Sequence, residues 1–261
     1  MTNPPEPARA SAGPDRSAVP ALPDPRPGPE KDAALVQAMF DRVAPRYDLA
    51  NTVLSLGQDR HWRRVAVLAA EVAPGDVVLD VAAGTGALSH LLAGTGARVL
   101  ALDFSWNMLA TGAGREGSQR TLGWVVGDGT RLPLPDASVD AVTIAFGLRN
   151  LPDVDRGLAE MARVLRPGGR AVVLEFSHPT WRPLRAVYGR YLVGAVPHIA
   201  RLGTTDPRAY RYLAESIRAW PDQRALARRM TAAGLERVRW KDLSGGIVAC
   251  HQARRAASQP R

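Results

Sequence analysis

Three carboxylates in the first half of this 261-residue sequence stand at or near the ends of apolar runs, two of them close to glycines. Asp80 follows Val77-Val78-Leu79 and opens Asp80-Val81-Ala82-Ala83-Gly84-Thr85-Gly86, Asp103 closes the run from Arg98, and Asp128 sits in Gly127-Asp128-Gly129. Glycines at such a point let the backbone turn tightly and approach a ligand closely. Dinucleotide enzymes use a similar turn, but their third glycine would fall at position 89, which is Ser89, and Asp80 puts negative charge where a pyrophosphate would lie. A cationic ligand suits Asp80 better. Asp103, 23 residues further on, can accept both hydroxyls of a ribose, and Asp128 can accept the exocyclic amino group of an adenine. A glycine turn, a ribose acid and an adenine acid at three successive strand ends describe a site for S-adenosylmethionine, held by Asp80, Gly84, Gly86, Asp103 and Asp128.

Such residues need a frame to bring them together. Val77–Leu79, Arg98–Asp103, Trp124–Val126, Val139–Phe146 and Arg170–Phe176 read as strands, the last entered through a Pro167-Gly168-Gly169 turn. Helical spacing lies between them at Ala87–Gly94, around Met108 and at Val154–Leu165. This alternation predicts an α/β doubly wound sheet, in which ligands bind beyond the carboxyl ends of the strands. After a helix at Arg224–Ala233, Leu235–Trp240 and Leu243–His251 form a close pair that predicts an antiparallel last strand. Helical spacing from Leu35 to Val43 and from about Val53 to Ala70 predicts an N-terminal helical cover. Residues 179–220 insert aromatic, Arg-rich helical segments before the last helix.

Composition sets the outer limits. The first 30 residues hold nine of the 21 prolines and little apolar content, so residues 1–32 read as a disordered tail, 33–254 as one domain and 255–261 as a second tail. No apolar run approaches the length of a bilayer-crossing helix and the Pro-rich start is no signal peptide, which predicts a cytoplasmic location. A lone cysteine, Cys250, excludes an internal disulfide and a cysteine metal cluster, and no metal is expected. The net charge is +9, and residues 1–34 carry four basic against five acidic side chains, so the excess lies beyond them. Its densest stretch, 181–240, has twelve arginines against four acids, a surface suited to anionic lipid, to nucleic acid or simply to water.

Several further blocks lie outside the cofactor residues: Met39-Phe40-Asp41-Arg42-Val43, Arg46-Tyr47-Asp48, Leu54-Ser55-Leu56-Gly57, Phe146-Gly147-Leu148-Arg149-Asn150, Val173-Leu174-Glu175-Phe176-Ser177, Tyr210–Ile217 and Gly245–Ala249. In these blocks the chain resembles the ubiquinone/menaquinone biosynthesis C-methyltransferase family from Met39 to about Arg254. The resemblance implies a class I methyltransferase (Rossmann-like) fold, methyl transfer to a ring carbon of a polyprenyl hydroquinone, and cofactor contacts at Thr85, Asp103, Asp128 and Gly129. The family usually has serine before Phe-Gly-Leu-Arg-Asn, whereas this chain has Ala145, which removes one hydroxyl from the cofactor side.

A hydroquinol carbon becomes a good nucleophile when the neighbouring oxygen ionises, and a phenol with pKa near 10 is scarcely ionised at neutral pH. Arg149 is the expected phenolate stabiliser and Asn150 the group that holds the oxygen or a water. His178, Asp48 or water are candidates for the proton, and Tyr47, Asp48 and Asn51 for closing the cleft over substrate. The Ala/Arg/Pro-rich composition points to a high-GC bacterium, in which demethylmenaquinol going to menaquinol is the expected reaction; a polyprenyl benzoquinol is the alternative. The Arg/aromatic insertion, with Trp181, Tyr188, Tyr191, Tyr210, Tyr212 and Trp220, is expected to touch the inner face of the membrane. A homodimer is compatible with the sequence. An RNA methyltransferase is disfavoured because no RNA-binding module is visible, and a non-catalytic cofactor-binding scaffold because the site is intact.

Overall fold

The computed structural model describes residues 33–43, 52, 55–114, 120–191 and 207–257. In chain order the elements are α1 (Ala33–Val43), α2 (Gln58–Ala70), β1 (Val77–Val81), α3 (Ala87–Ala93), β2 (Arg98–Asp103), α4 (Trp106–Ala113), β3 (Leu122–Val126), β4 (Val139–Ala145) and α5 (Val154–Val164). They continue with β5 (Leu165–Phe176), α6 (Arg182–Arg190), α7 (Pro207–Ala219), α8 (Gln223–Ala232), β6 (Leu235–Leu243) and β7 (Val248–Arg255). Single 3₁₀ turns stand at Leu148–Asn150 and Ser244–Gly246.

The seven strands form one sheet in the order β3-β2-β1-β4-β5-β7-β6, with β7 antiparallel to both of its neighbours and β1 to β5 parallel. Alternate side chains leave the sheet on opposite faces, and the core divides accordingly. Leu79, Val81, Ile144 and Val173 join Leu158 and Met161 of α5 and Leu226 and Met230 of α8 on one face. Val78, Val172 and Leu174 join Trp62 and Ala66 of α2 and Leu88 and Leu92 of α3 on the other. The buried positions of α5, Val154, Leu158, Met161 and Ala162, recur at helical spacing, and Asp153 caps the helix by accepting the Arg156 N–H at 3.0 Å. The doubly wound sheet with its antiparallel last strand, the N-terminal helix and the helical insertion are as the sequence predicts.

Three details differ. The Pro167-Gly168-Gly169 stretch lies inside β5 as an irregularity: Leu165 pairs with Val139, and pairing resumes with Arg170 opposite Ala141. Apolar Leu165 is wholly buried against that pairing, which holds the strand together across the glycines. The β6–β7 turn falls at Ser244–Gly246, later than expected, and Trp240 to Leu243 pair with His251 to Val248. Ser244, Gly245 and Gly246 all have positive φ, so the chain reverses there and not at Lys241-Asp242. Finally, α2 begins at Gln58, because Leu56 and Gly57 take positive φ; Val53 and Leu54 lie outside the described residues.

One close approach fixes the floor of the glycine turn. A Cβ on Gly112 of α4 would lie 2.6 Å from the Thr85 carbonyl oxygen and 2.6 Å from the Trp124 ring, and a Cβ on Gly86 would lie 2.3 Å from that same ring. Gly112→Ala should therefore lower the unfolding free energy by about 1–3 kcal/mol, read from urea denaturation. An unchanged midpoint would show that α4 can move away from the turn at no cost.

Candidate active site

Two cavities open at the carboxyl ends of the strands, where the strand order reverses between β1 and β4. The first, of about 250 Å³, is lined by the turn Ala82–Thr85, Asp103 and Phe104, Gly127–Gly129, Ala145–Gly147 and Asn150. The second, of about 370 Å³, is lined by α2, Phe146, Arg149, Phe176, α6 and α7. Phe146 and Arg63 line both, so they form the wall between the cavities.

The first cavity is lined by Asp80, Gly84, Thr85, Asp103, Asp128 and Gly129 of the expected cofactor residues, but not by Gly86. Asp103 accepts the Gly84 N–H and the Ser105 N–H, each at 2.8 Å, one on each carboxylate oxygen. Burial pushes its pKa up to about 6; the N–H donors of Ser105 and Gly84 pull it down and Asp41 on α1 pushes it up again. Helix α1 packs here directly: Val36 lines the cavity, Gln37 donates to the Phe104 carbonyl at 3.1 Å, and Ser105 donates to Asp41. Asp80 points to the α3 side of the sheet, where Ser89 and Thr143 hydroxyls donate to it at 2.6 and 2.7 Å. Ser89 thus takes the place of a glycine in order to hold this carboxylate. Burial raises Asp80 to about 6 as well, against the lowering effect of the two hydroxyls. Asp128 is exposed at the rim and is oriented by the Thr130 N–H and hydroxyl at 2.8 Å. Gly129 sits where a Cβ would meet Leu151 at 3.0 Å, while a Cβ on Gly84 would meet nothing within 4 Å.

The structure separates Arg149 from Asn150. Arg149 lines the second cavity, yet it is 3% exposed and its guanidinium is paired with buried Glu175 at 2.7 Å, bonded to the Phe146 carbonyl at 2.7 Å and laid over the Phe176 ring. It is therefore an anchor of the loop after β4 and not a lone positive charge. Asn150 lines the first cavity and accepts the Tyr212 hydroxyl at 3.1 Å. His178 lines neither cavity; its ring is held by the Trp220 carbonyl at 2.7 Å. Tyr47, Asp48 and Asn51 lie outside the described residues. Of the insertion aromatics, Tyr212 and Trp220 are core residues, Tyr188 and Tyr191 line the second cavity, and Trp181 is exposed.

Sequence reasoning missed Asp59, Trp62 and Arg63. Asp59 and Arg63 form an ion pair of 2.8 Å one helical turn apart, both largely buried, and the Arg63 guanidinium lies 5.4 Å from the Phe146 ring centroid. Acid and base at i, i+4 was the available signal, but on an unplaced helix it reads as a surface pair.

A model of the ubiE/COQ5 methyltransferase family matches residues 29–255. The chain belongs to this family. It is 57% identical over 224 residues to the demethylmenaquinone methyltransferase of Mycobacterium sp. (strain JLS), covering 86% of this chain and 95% of that protein. It is 50% identical to the demethylmenaquinone methyltransferase of Streptomyces avermitilis, covering 87% and 97%. Among solved structures, the [4+2]-cyclase SpnF shares the fold with a TM-score of 0.64 at 18% identity, over 92% of this chain and 100% of that one. Haemonchus contortus phosphoethanolamine N-methyltransferase 2, solved with S-adenosyl-L-methionine, does so with a TM-score of 0.62 at 13% identity, over 85% and 60%.

The raised pKa of Asp80 has a sign that this family member can be tested for. A carboxyl whose folded pKa lies above its ordinary value of 3.8 favours folding when protonated, so its contribution is full below that value and is lost as pH rises through about 6. Buried His251, with its pKa held down, acts in the opposite direction below its ordinary value of 6.5, and a paired variant separates the two. Asp80→Asn should gain stability relative to the unchanged protein as pH rises from about 4 to about 7, measured by paired urea unfolding curves. A difference that stays constant with pH would contradict the burial argument.

Proposed function

We propose that this chain transfers the methyl group of S-adenosylmethionine to a ring carbon of demethylmenaquinol, giving menaquinol. The observation that carries the reading is the pair of cavities sharing the Phe146–Arg63 wall: one is edged by strand-end carboxylates and the other is mostly apolar. The names of the curated relatives support the same substrate.

The first cavity fits the methyl donor on its own residues. The turn at Gly84 is open on its cavity side, as the free space around a Cβ there indicates. Each Asp103 oxygen, having accepted one N–H, keeps a lone pair for a ribose hydroxyl. Thr85 and Gly86 continue the turn, and Asp128 with Gly129 offers an acceptor at the adenine end. When bound, the cofactor supplies an activated methyl group on a sulfonium. Asp80, fixed beneath the turn, adds the negative charge that favours a cation. On the other side, Trp62, Phe146 and Phe176 exclude water from the quinol ring, and Arg149, paired with Glu175, fixes the loop after β4 that carries Phe146.

Incubation of the purified protein with cofactor and demethylmenaquinol should yield, by mass spectrometry, a quinone heavier by one methylene. Asp103→Ala should weaken cofactor binding about 30-fold or more in calorimetry, because losing two charge-assisted hydrogen bonds costs at least about 2 kcal/mol. Undiminished affinity in folded variant would remove Asp103 from the site.

The second cavity also opens toward an apolar rim. Leu56 (84% exposed) and Val187 (62%) line it, and Trp181 (67%) precedes α6, whose Leu184 and Tyr188 are only half-buried and which carries Arg182, Arg185 and Arg190. No helix among the described residues is long and apolar enough to cross a membrane. We therefore propose that this rim rests on the inner face of the membrane, so that a prenyl tail need not leave the lipid. The protein should float with vesicles containing phosphatidylglycerol, and Trp181→Asp/Val187→Asp should remove most of that binding. Equal flotation of both proteins would count against the rim.

A further inference from the structure

The quinol must lose a hydroxyl proton; of the residues expected to take it, His178 does not line the second cavity and is bonded to the Trp220 carbonyl, and Asp48 lies outside the described residues. The titratable groups that do line it are Asp59, Arg63, Arg149, Tyr188 and Tyr191. The two guanidiniums are cations with no lone pair to offer. Burial holds the Tyr188 and Tyr191 hydroxyls protonated, with their pKa values above the usual tyrosine range. Among the described residues of this cavity, Asp59 alone offers a base.

Building on the reaction proposed above, we propose that Asp59 of α2 accepts the quinol hydroxyl proton while Arg63, its ion-pair partner on the wall between the cavities, takes over the phenolate. Geometry supports the exchange. One Asp59 oxygen accepts Arg63 Nη1 at 2.8 Å and the other accepts the Ser55 hydroxyl at 3.2 Å, which fixes the carboxylate toward the cavity on the first turn of α2. The pair is largely buried, with side chains 12% and 9% exposed. An isolated phenolate in such a place would be costly, but here the negative charge only moves from one partner of Arg63 to another. The net charge of the cavity is unchanged by the transfer.

The balance is complete. The quinol O–H bond breaks, its proton passing to an Asp59 oxygen and its electron pair remaining on the quinol oxygen. The neighbouring ring carbon then forms a bond to the methyl group as the S–CH₃ bond breaks, that pair going to sulfur. The ring C–H proton leaves to solvent, the quinol oxygen recovers a proton from Asp59, and the Asp59–Arg63 pair is restored. Asp59 is thereby a catalytic residue and Arg63 stabilises the charge it releases.

The test uses the full-length protein, the methyl donor and two reduced substrates: demethylmenaquinol and a ring-halogenated analogue with a more acidic hydroxyl. Asp59→Asn, which keeps an oxygen for Arg63 and turns its amide N–H toward the Ser55 hydroxyl, should lower kcat on demethylmenaquinol about 100-fold or more, with KM and cofactor affinity within about threefold. On the acidic analogue the deficit should shrink to about tenfold or less, since less base is needed. An equal deficit on both substrates, or kcat within about threefold of the unchanged protein, would overturn the role of Asp59. If Asp59→Asn fails to fold, Asp59→Ala with added formate replaces it: recovery of turnover supports the base, and folded protein with no recovery overturns it. If the unchanged protein methylates neither hydroquinol, the reaction reading falls and Asp59's role with it; if it methylates both and only the variants fail to respond, the reading stands without Asp59.

Discussion

The close contact between the loops after β1 and β4 is the constraint on which the rest of the site depends. A Cβ on Gly147 would lie 2.5 Å from the Ala82 side chain, so only glycine lets the two loops meet where the strand order reverses. Both loops accept unfavourable backbone there, with Ala82 at φ 50° and Phe146 at φ 59°. The reward is placement: the Phe146 ring is turned out of the sheet to stand between Trp62 and Phe176, where it divides the space above the strands into two cavities. Relaxing that contact would merge the cleft edged by strand-end carboxylates with the second cavity.

Around this wall every buried charge has a counterpart suited to its position. Arg149 meets Glu175, which also accepts the Phe176 N–H at 2.8 Å, so the ion pair ties the loop after β4 to the end of β5. Arg63 meets Asp59 within one helix and lies over the Phe146 ring. Buried pairs of this kind add little net stability over apolar packing but leave a large penalty if one partner is lost. Their value here lies in holding cations beside an apolar cavity without an unbalanced charge. The carboxylates of the other cavity are handled differently. Asp80 and Asp103 have hydroxyl and N–H donors instead of cations, which leaves their charge available to a positive ligand.

Much of the fold was legible in the sequence because it rests on local signals. Apolar runs ended by glycines or by an acid set β1, β2 and β4 within a residue or two, and acids at the strand ends marked the first cavity. Signals failed where a local cue had to compete with a distant partner. Pro167-Gly168-Gly169 reads as a turn, yet the pairing of Leu165 with Val139 keeps it in the strand. His178, after β5, reads as one of several candidate bases, yet the Trp220 carbonyl, which lies in the insertion, holds its Nε2.

By itself the sequence determined the α/β class, the strand-end carboxylates and the family, because periodicity, glycine placement and motif blocks are properties of short segments. Only the tertiary structure decided which charges face which cavity. Arg149 stands out as a lone cation in Phe-Gly-Leu-Arg-Asn until β5 brings Glu175 against it from 26 residues away. Asp59 looks like an ordinary helix-surface acid until α2 lays it on an apolar cavity beside Phe146. Charge compensation and burial are set by contacts between segments far apart in the chain, and one-dimensional spacing carries no record of those distances.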